Sequence, residues 1–237
     1  MMRICLAILF CAISGISLAA GGSVELREAK INPSDAASLQ RGAKLFIDRC
    51  LSCHEASYMR FNRLTDIGLS SEQIKQYLIK DPSVKVGDTM TNAMRPADAK
   101  VMFGVVPPDL SVVSRSRGAD WLYTYFVSFY KDDASVTGWN NALFPHVAMP
   151  HVFWQEQGVK VLQHSDDGKA VLVEEVPGTA TATEFDRMML DLTNYLVFMG
   201  EPAAEKRKQI GSLVLIFLVL FAFLAWAVKR EFWKDVH

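Results

Sequence analysis

The chain of 237 residues is long enough for one substantial domain with additional segments. Its 25 basic and 26 acidic side chains nearly cancel, to a formal net charge of −1, which excludes the strongly basic character of nucleic-acid-binding proteins. Half of the residues are hydrophobic, and long apolar runs occur near both ends.

Residues 1–20 have the layout of a secretory signal peptide. Arg3 precedes an apolar run, and small residues follow it. The run is too short to span a bilayer comfortably as an uncleaved anchor, so we expect cleavage near Ala20 and export of residues 21–205. This exported part holds 24 acidic and 18 basic side chains, a net charge of −6, which would favour basic partners.

The first predicted helix, 35–49, leads directly into a C-x-x-C-H motif. Apolar residues recur along it at helical spacing, and Gly42 would let another helix approach closely. The motif consists of Cys50, Cys53 and His54, and this pattern is typical of covalent c-type haem attachment. The two thiols would add to the haem vinyl groups, and the imidazole would bind the iron from one face.

Three other interpretations compete with haem at this motif. A zinc site would need a second pair of Cys or His ligands, and the expected exported chain has no other cysteine. A thioredoxin-like redox pair would follow a strand, whereas a helix is predicted here. A disulfide would close a very tight loop. Haem attachment is therefore the favoured interpretation.

Beyond the motif, the pattern predicts helices joined by long loops. A helix over 69–80 has Ser70 or Ser71 as its cap and ends before a proline. About thirty residues rich in Pro, Gly and Asp follow and are predicted as ordered loop. The next helix, 117–130, is strongly aromatic, so its stripe could be core or could wall a flat cofactor.

The later part of the exported chain is predicted to contain irregular chain, a hairpin and a helix. The residues 138–158 are predicted to be mostly irregular chain. Apolar and polar residues alternate on both sides of an Asp-Gly turn over 159–175, which predicts a hairpin. A helix over 183–199 then leads towards the C-terminal apolar run.

Residues 206–228 are predicted to be a membrane anchor with its basic flank. The run Ile210–Val228 has no charged residue and is just long enough for a hydrocarbon core of about 30 Å. Basic residues flank both ends, so the positive-inside rule gives no decision. Export of the body decides instead, and leaves the tail, 229–237, in the cytoplasm.

A short segment near position 150 offers candidates for the sixth iron ligand. His146, Met149 and His151 lie within six residues, and Pro150 stiffens the backbone after the methionine. We favour Met149, because Pro150 fixes the backbone after it and Ala148 leaves room beside the ring. A thioether ligand would also raise the reduction potential relative to a second imidazole. Both histidines remain open as alternatives. Three methionines of the long loop also remain possible, namely Met90, Met94 and Met102.

Taken together, these motifs resemble the cytochrome c1 family, the haem subunits of quinol–cytochrome c reductase (cytochrome bc1) complexes. Residues 41–64 resemble the family's first helix, haem motif and following segment. Residues 106–118 resemble its Pro-Pro-Asp-Leu-Ser motif and the arginines after it, and residues 144–154 resemble its axial methionine segment. The resemblance covers most of the chain.

The resemblance implies a mainly α fold. This would be a class I c-type cytochrome-like haem domain with long loops and a small β-hairpin, plus one C-terminal transmembrane helix. One covalently bound haem c would be held by Cys50 and Cys53. His54 and Met149 would be the axial iron ligands.

The resemblance also implies roles at the edge of the haem. Pro107 and Pro108 would pack beside it, and Arg117 would approach a propionate, with Arg115 as competitor. Two family features are missing: the asparagine-rich stretch before the prolines and the long acidic insertion of mitochondrial members. Three acidic pairs could form a weaker acidic surface, at 132–133, 166–167 and 174–175.

The implied function is electron transfer within a reductase, not catalysis by this subunit alone. The expected donor is a Rieske iron–sulfur protein and the expected acceptor a cytochrome c. Cytochrome b would complete a dimeric complex. The subunit would be single-pass in a bacterial-type inner membrane, with its haem domain on the periplasmic side. The alternatives are another membrane-anchored mono-haem carrier, for example one serving a terminal oxidase, or a haem-based sensor with an open sixth site.

Overall fold

The computed structural model describes residues 24–165 and 170–235. The expected signal peptide, the acidic pair 166–167 and the predicted hairpin turn lie outside the described residues. Within them, helices predominate, three small antiparallel sheets lie between the helices, and one long apolar helix ends the chain. The expected mainly α fold is confirmed.

The helices are α1 (Ala36–Leu45), α2 (Ser71–Gln73), α3 (Pro96–Phe103), α4 (Val113–Arg117), α5 (Ala119–Val127), α6 (Trp154–Gln157), α7 (Ala182–Gly200) and α8 (Ala204–Phe232). The strands are β1 (Ala56–Arg60), β2 (Thr89–Met90), β3 (Phe129–Lys131), β4 (Trp139–Asn141), β5 (Gly158–His164) and β6 (Ala170–Pro177). Wider π-type turns extend α1 over Phe46–Cys50 and α2 over Ile74–Leu78, and a 3₁₀ helix covers Phe61–Ile67.

The core is built on the close packing of α1 against α7. A Cβ atom at Gly42 would lie 2.1 Å from the carbonyl oxygen of Asp191 and 2.7 Å from Cβ of Tyr195. Beside this contact, the Arg41 guanidinium donates from Nε and Nη2 to the buried Asp191 carboxylate, at 2.6 and 2.9 Å. The close approach expected of Gly42 is therefore present, and it fixes the helix that carries the C-x-x-C-H motif.

We predict that Gly42→Ala destabilises the haem domain by about 3 kcal/mol, near the upper end of overpacking effects, because the clashing oxygen belongs to a helix backbone. Thermal unfolding of the detergent-solubilised protein, followed by circular dichroism, measures this. Gly87→Ala is the matched control, since its added Cβ meets no atom within 4 Å. An equal melting temperature for the two variants would contradict the prediction.

Two helix starts follow local rules, and one helix lies in a segment predicted as loop. Ser70 caps α2 and Thr181 caps α7, each in a reciprocal capping box with the residue three positions later. The segment predicted as loop contains α3, which begins at Pro96 and ends at Phe103, and Gly104 after it has a left-handed conformation. Proline and glycine usually indicate a loop, which is why the sequence predicts one here. At the first position of a helix and directly after its last residue, however, they are favourable.

The strands form three separate two-stranded antiparallel sheets. β1 pairs with β2, β3 with β4, and β5 with β6. The β5–β6 hairpin runs from Gly158 opposite Pro177 to His164 opposite Ala170, and confirms the predicted hairpin. The aromatic helix ends earlier than predicted, at Val127, because the chain then enters β3.

Helix α8 contains the predicted membrane span. In the described parts of the chain it is the one helix long and apolar enough to cross a membrane, with a mean hydropathy of 2.7 over its most apolar window and none of that window buried. Glu201 lies at the junction with α7 and forms ion pairs with Arg207 and, at 4.0 Å, with Arg115. The start of the anchor is thus tied to the helix that precedes α5.

Candidate functional site

A cavity of about 380 Å³ opens between the C-x-x-C-H motif, α5 and the segment around position 150. This volume lies in the range of pockets that bind cofactors and small ligands, about 300–1,000 Å³. Its walls are mostly apolar, and they include both motif cysteines, His54, Arg117 and Met149. The residues predicted for the site therefore meet at one cavity.

The motif lies in a turn at the end of α1. The backbone N–H groups of Cys53 and His54 both donate to the carbonyl oxygen of Cys50, at 3.0 and 2.8 Å. This turn brings both free thiols and the imidazole to the cavity. Burial raises the pKa of the Cys50 thiol to about 12, so this sulfur is a protonated thiol rather than a thiolate.

The imidazole of His54 has a defined tautomer. Its Nδ1 lies 2.8 Å from the carbonyl oxygen of Pro108. A carbonyl oxygen can only accept, so Nδ1 carries the proton and Nε2 keeps its lone pair for a metal. Burial lowers the pKa of His54, although this hydrogen bond and the charge of Asp109 oppose the shift. A neutral imidazole with a fixed second nitrogen is the usual form of a metal-binding histidine.

The segment that supplies Pro108 is tied to the chain just after the motif. Asp109 accepts hydrogen bonds from the N–H and hydroxyl of Ser57, at 2.9 and 2.6 Å, and from the N–H of Ser111, at 2.7 Å. The N–H of Leu110 donates to Glu55 O at 2.8 Å. Burial favours the neutral carboxyl, but these hydrogen bonds outweigh it and lower the pKa of Asp109. The Pro-Pro-Asp-Leu-Ser segment thus positions the histidine.

The loop that carries Met149 is shaped by two asparagine side chains. Asn141 Oδ1 accepts from the N–H groups of Leu143 and Phe144, each at 3.0 Å. Asn140 Oδ1 accepts from the N–H of His146 at 2.9 Å. His146 has a φ of 62°, in the left-handed region, so its backbone makes the sharp bend before the methionine.

The aromatic residues of α5 form the wall behind Met149. The Tyr125 hydroxyl donates to Met149 Sδ at 3.4 Å. Trp121, one turn earlier, stacks on Tyr125 with ring centroids 5.1 Å apart. Arg117 lies over Trp121 at 4.8 Å and over Phe144 at 5.9 Å. The interpretation of this helix as a wall therefore fits the structure, whereas no local sequence pattern indicates the bond between Tyr125 and Met149.

The structure separates the alternative site residues. His146 is exposed and lines the cavity, whereas His151 is buried, is stacked on Phe129 at 4.8 Å and does not line the cavity. Burial lowers the pKa of His151 to about 3, so it is a neutral core residue. Arg117 reaches the cavity, and its competitor Arg115 pairs with Glu201 instead.

The methionines are separated in the same way. Met149 lines the cavity, whereas the Sδ atom of Met90 is buried elsewhere and accepts from the Tyr195 hydroxyl at 3.5 Å. Met94 and Met102 do not line the cavity either, and Met102 is exposed. Of these four methionines, Met149 is the one that lines the cavity.

The donor set fits a haem c better than the competing groups. The motif follows a helix and not a strand, and its two thiols are not bonded to each other. No group of three or more His, Cys, Asp or Glu side chains arranged for a metal ion occurs in residues 24–165 and 170–235. Two thiols, one imidazole, one thioether and an apolar wall are the groups that a covalently held, six-coordinate haem requires.

Comparison with known proteins assigns the family. A family model described as "Cytochrome C1 family" matches residues 27–236. The chain belongs to the cytochrome c1 family. A relative named "Cytochrome c1" from Allochromatium vinosum is 46% identical and covers 93% of each chain. A relative named "Ammonia monooxygenase gamma subunit" from Nitrosomonas europaea is 49% identical over 94% of this chain and 93% of its own.

A solved structure named "Hyperthermophilic respiratory Complex III" also aligns with the chain. It covers 100% of this chain and 96% of its own, with a TM-score of 0.47 and 15% identity. The family assignment confirms the resemblance seen in the motifs. Together with α8 it makes the protein a membrane-anchored cytochrome c1 family member.

Proposed function

We propose that this protein is the electron-transfer haem subunit of a quinol–cytochrome c reductase. It takes one electron from a Rieske iron–sulfur protein and passes it to a cytochrome c. The observation that carries the proposal is the meeting of Cys50, Cys53, His54 and Met149 at one apolar cavity in a cytochrome c1 family member. The subunit forms part of the enzyme and is not catalytic alone.

Different side chains of the cavity would bind different parts of one haem c. Cys50 and Cys53 would hold the haem through two thioether bonds, and His54 Nε2 and Met149 Sδ would bind its iron. A haem c bound there supplies a one-electron couple between ferric and ferrous iron. Pro107 and Pro108 would pack against the haem, and Arg117 would pair with a propionate, since a guanidinium can bind a carboxylate through two hydrogen bonds.

Hydrogen bonds from neighbouring segments of the chain hold both proposed iron ligands in place, which suits electron transfer. Pro108 fixes the His54 ring, and the loop with Asn140 and Asn141 fixes Met149. Rigid ligands change little in geometry between the two oxidation states, so little reorganisation accompanies each electron. A sensor would need a sixth site that is open or labile, and this arrangement does not favour one.

The topology follows from the order of segments. Residues 1–20 act as a cleaved signal peptide, 21–205 form the periplasmic haem domain, 206–228 form the anchor with its flank, and 229–237 remain in the cytoplasm. Cytochrome b and the Rieske protein complete a dimeric complex in the inner membrane. The acidic character of the exported domain supports a basic electron acceptor.

Two other functions differ from this one in the partners or the enzyme that they imply. A mono-haem carrier for a terminal oxidase would share the haem site but not the reductase partners. The name of the Nitrosomonas europaea relative refers to a different enzyme, whereas the family match and the relative named "Cytochrome c1" support the reductase function.

Purification of the full-length chain in a mild detergent tests the proposal. We expect cytochrome b and a Rieske protein to co-purify in constant ratio, with quinol-dependent reduction of added cytochrome c. The spectrum should show one haem c for each copy of this chain. A haem protein that purifies alone, with an intact haem spectrum, would favour the oxidase carrier instead.

A further inference from the structure

Tyr125 makes a polar contact with the side chain proposed as the sixth ligand. Its hydroxyl donates to Met149 Sδ across 3.4 Å. A thioether sulfur has no proton and accepts hydrogen bonds weakly, so the tyrosine must be the donor. Since Met149 and Tyr125 both line the cavity, the contact lies at its wall.

The tyrosine ring is held on several sides, so the hydroxyl has a defined direction. Trp121 stacks on it at 5.1 Å with an angle of 10° between the rings. Phe129 meets it edge-on, also at 5.1 Å. The carbonyl oxygen of Tyr125 accepts from Asn141 Nδ2 at 2.8 Å, which ties α5 to the loop that carries the methionine. These contacts preorganise the O–H···S geometry.

We propose that Tyr125 is a positioning residue that orients the Met149 sulfur and raises the reduction potential of the haem. The proposal rests on the proposed function, because it takes Met149 as the axial ligand. A thioether sulfur has two lone pairs. The hydroxyl engages one of them and leaves the other available to the iron.

The direction of the effect follows from the charge of the iron. A hydrogen bond to sulfur withdraws electron density and makes the thioether a poorer donor. Ferric iron depends more on that donation than ferrous iron, because it carries one more positive charge. The hydrogen bond therefore destabilises the oxidised state relative to the reduced state, and the potential rises.

The test is Tyr125→Phe, which removes the hydroxyl and keeps the ring in its stack. Redox titration of the purified full-length haem protein should show a lower potential. The ratio of ferric to ferrous protein at a fixed ambient potential should rise by up to about fivefold, the effect of losing one modest hydrogen bond. The weak red-end absorption band of the ferric thioether–iron bond should shift but persist.

Tyr123→Phe is the matched control on the same helix. The Tyr123 hydroxyl bonds to Asp186, and Tyr123 does not line the cavity. Like the test variant, this variant loses a tyrosine hydroxyl that has a polar partner. Because Tyr123 does not line the cavity, the reduction potential of the haem should stay that of the unaltered protein. An equal shift in both variants would mean a general effect of the helix and would overturn the proposal.

Met149→Leu separates failure of this inference from failure of the proposed function. If Met149→Leu abolishes the thioether–iron band while Tyr125→Phe leaves band and potential unchanged, Met149 is the ligand and the role of Tyr125 is refuted. If neither variant changes band or potential, the ligand assignment itself is wrong and the inference is overturned with it. The proposal is supported if the reduction potential falls in Tyr125→Phe and stays unchanged in Tyr123→Phe.

Discussion

Replacing both motif cysteines, Cys50→Ala together with Cys53→Ala, should abolish covalent haem attachment. Both thiols line the same cavity, and no other cysteine occurs in residues 24–165 and 170–235 to replace them. Without the haem, an apolar cavity of about 380 Å³ would lose its filling, and the domain should be strongly destabilised. The protein mass and the haem that remains after acid–acetone extraction measure the result.

Ser52→Ala is the matched control within the motif. Ser52 lies between the cysteines and is exposed, so its replacement keeps the thiol spacing and the imidazole. Covalent haem should remain at one per chain. The single variant Cys50→Ala should retain at most one thioether bond. Haem still attached through two bonds after that change would refute the assignment of the motif.

The features that the sequence predicts well depend on neighbours in the chain. The C-x-x-C-H turn is local, since Cys53 and His54 both bond to the carbonyl of Cys50. The cap of α2 at Ser70 depends on a residue three positions later. Gly42 predicts close packing against another helix, but the sequence does not indicate that this helix is α7. Such signals indicate which element forms, and in part where it packs.

The choice among equivalent side chains depends on contacts that are distant in sequence. His146 and His151 look alike in the sequence, yet only His146 reaches the cavity, because the left-handed backbone at His146 turns the loop. Arg115 pairs with Glu201, which lies between α7 and α8, and does not line the cavity. No local pattern contains these pairings, so the sequence leaves them open.

The two sides of the site are held by different parts of the chain. His54 depends on Pro108, whose segment is bonded to residues 55–58. Met149 depends on the asparagine-shaped loop and on Tyr125. A variant on one side should therefore leave the other ligand in place, which makes the two axial positions separately testable.

Met149→Leu should keep covalent haem but remove the sixth ligand. Leucine has a similar volume and no sulfur, so the cavity wall should be preserved while the iron loses its thioether. We expect loss of the thioether–iron band, a lower reduction potential, rapid binding of carbon monoxide to the ferrous protein and loss of quinol-dependent reduction of cytochrome c. Redox titration and carbon monoxide difference spectra measure the first three changes independently of turnover.

Met90→Leu is the control that decides between the methionines. Met90 is buried, and its sulfur also accepts from a tyrosine hydroxyl, but it does not line the cavity. Its replacement should therefore lower stability slightly and leave band and potential unchanged. If Met90→Leu instead removes the thioether–iron band and Met149→Leu does not, Met90 is the ligand. The segment around Met149 would then have to move away from the iron in the haem-bound protein.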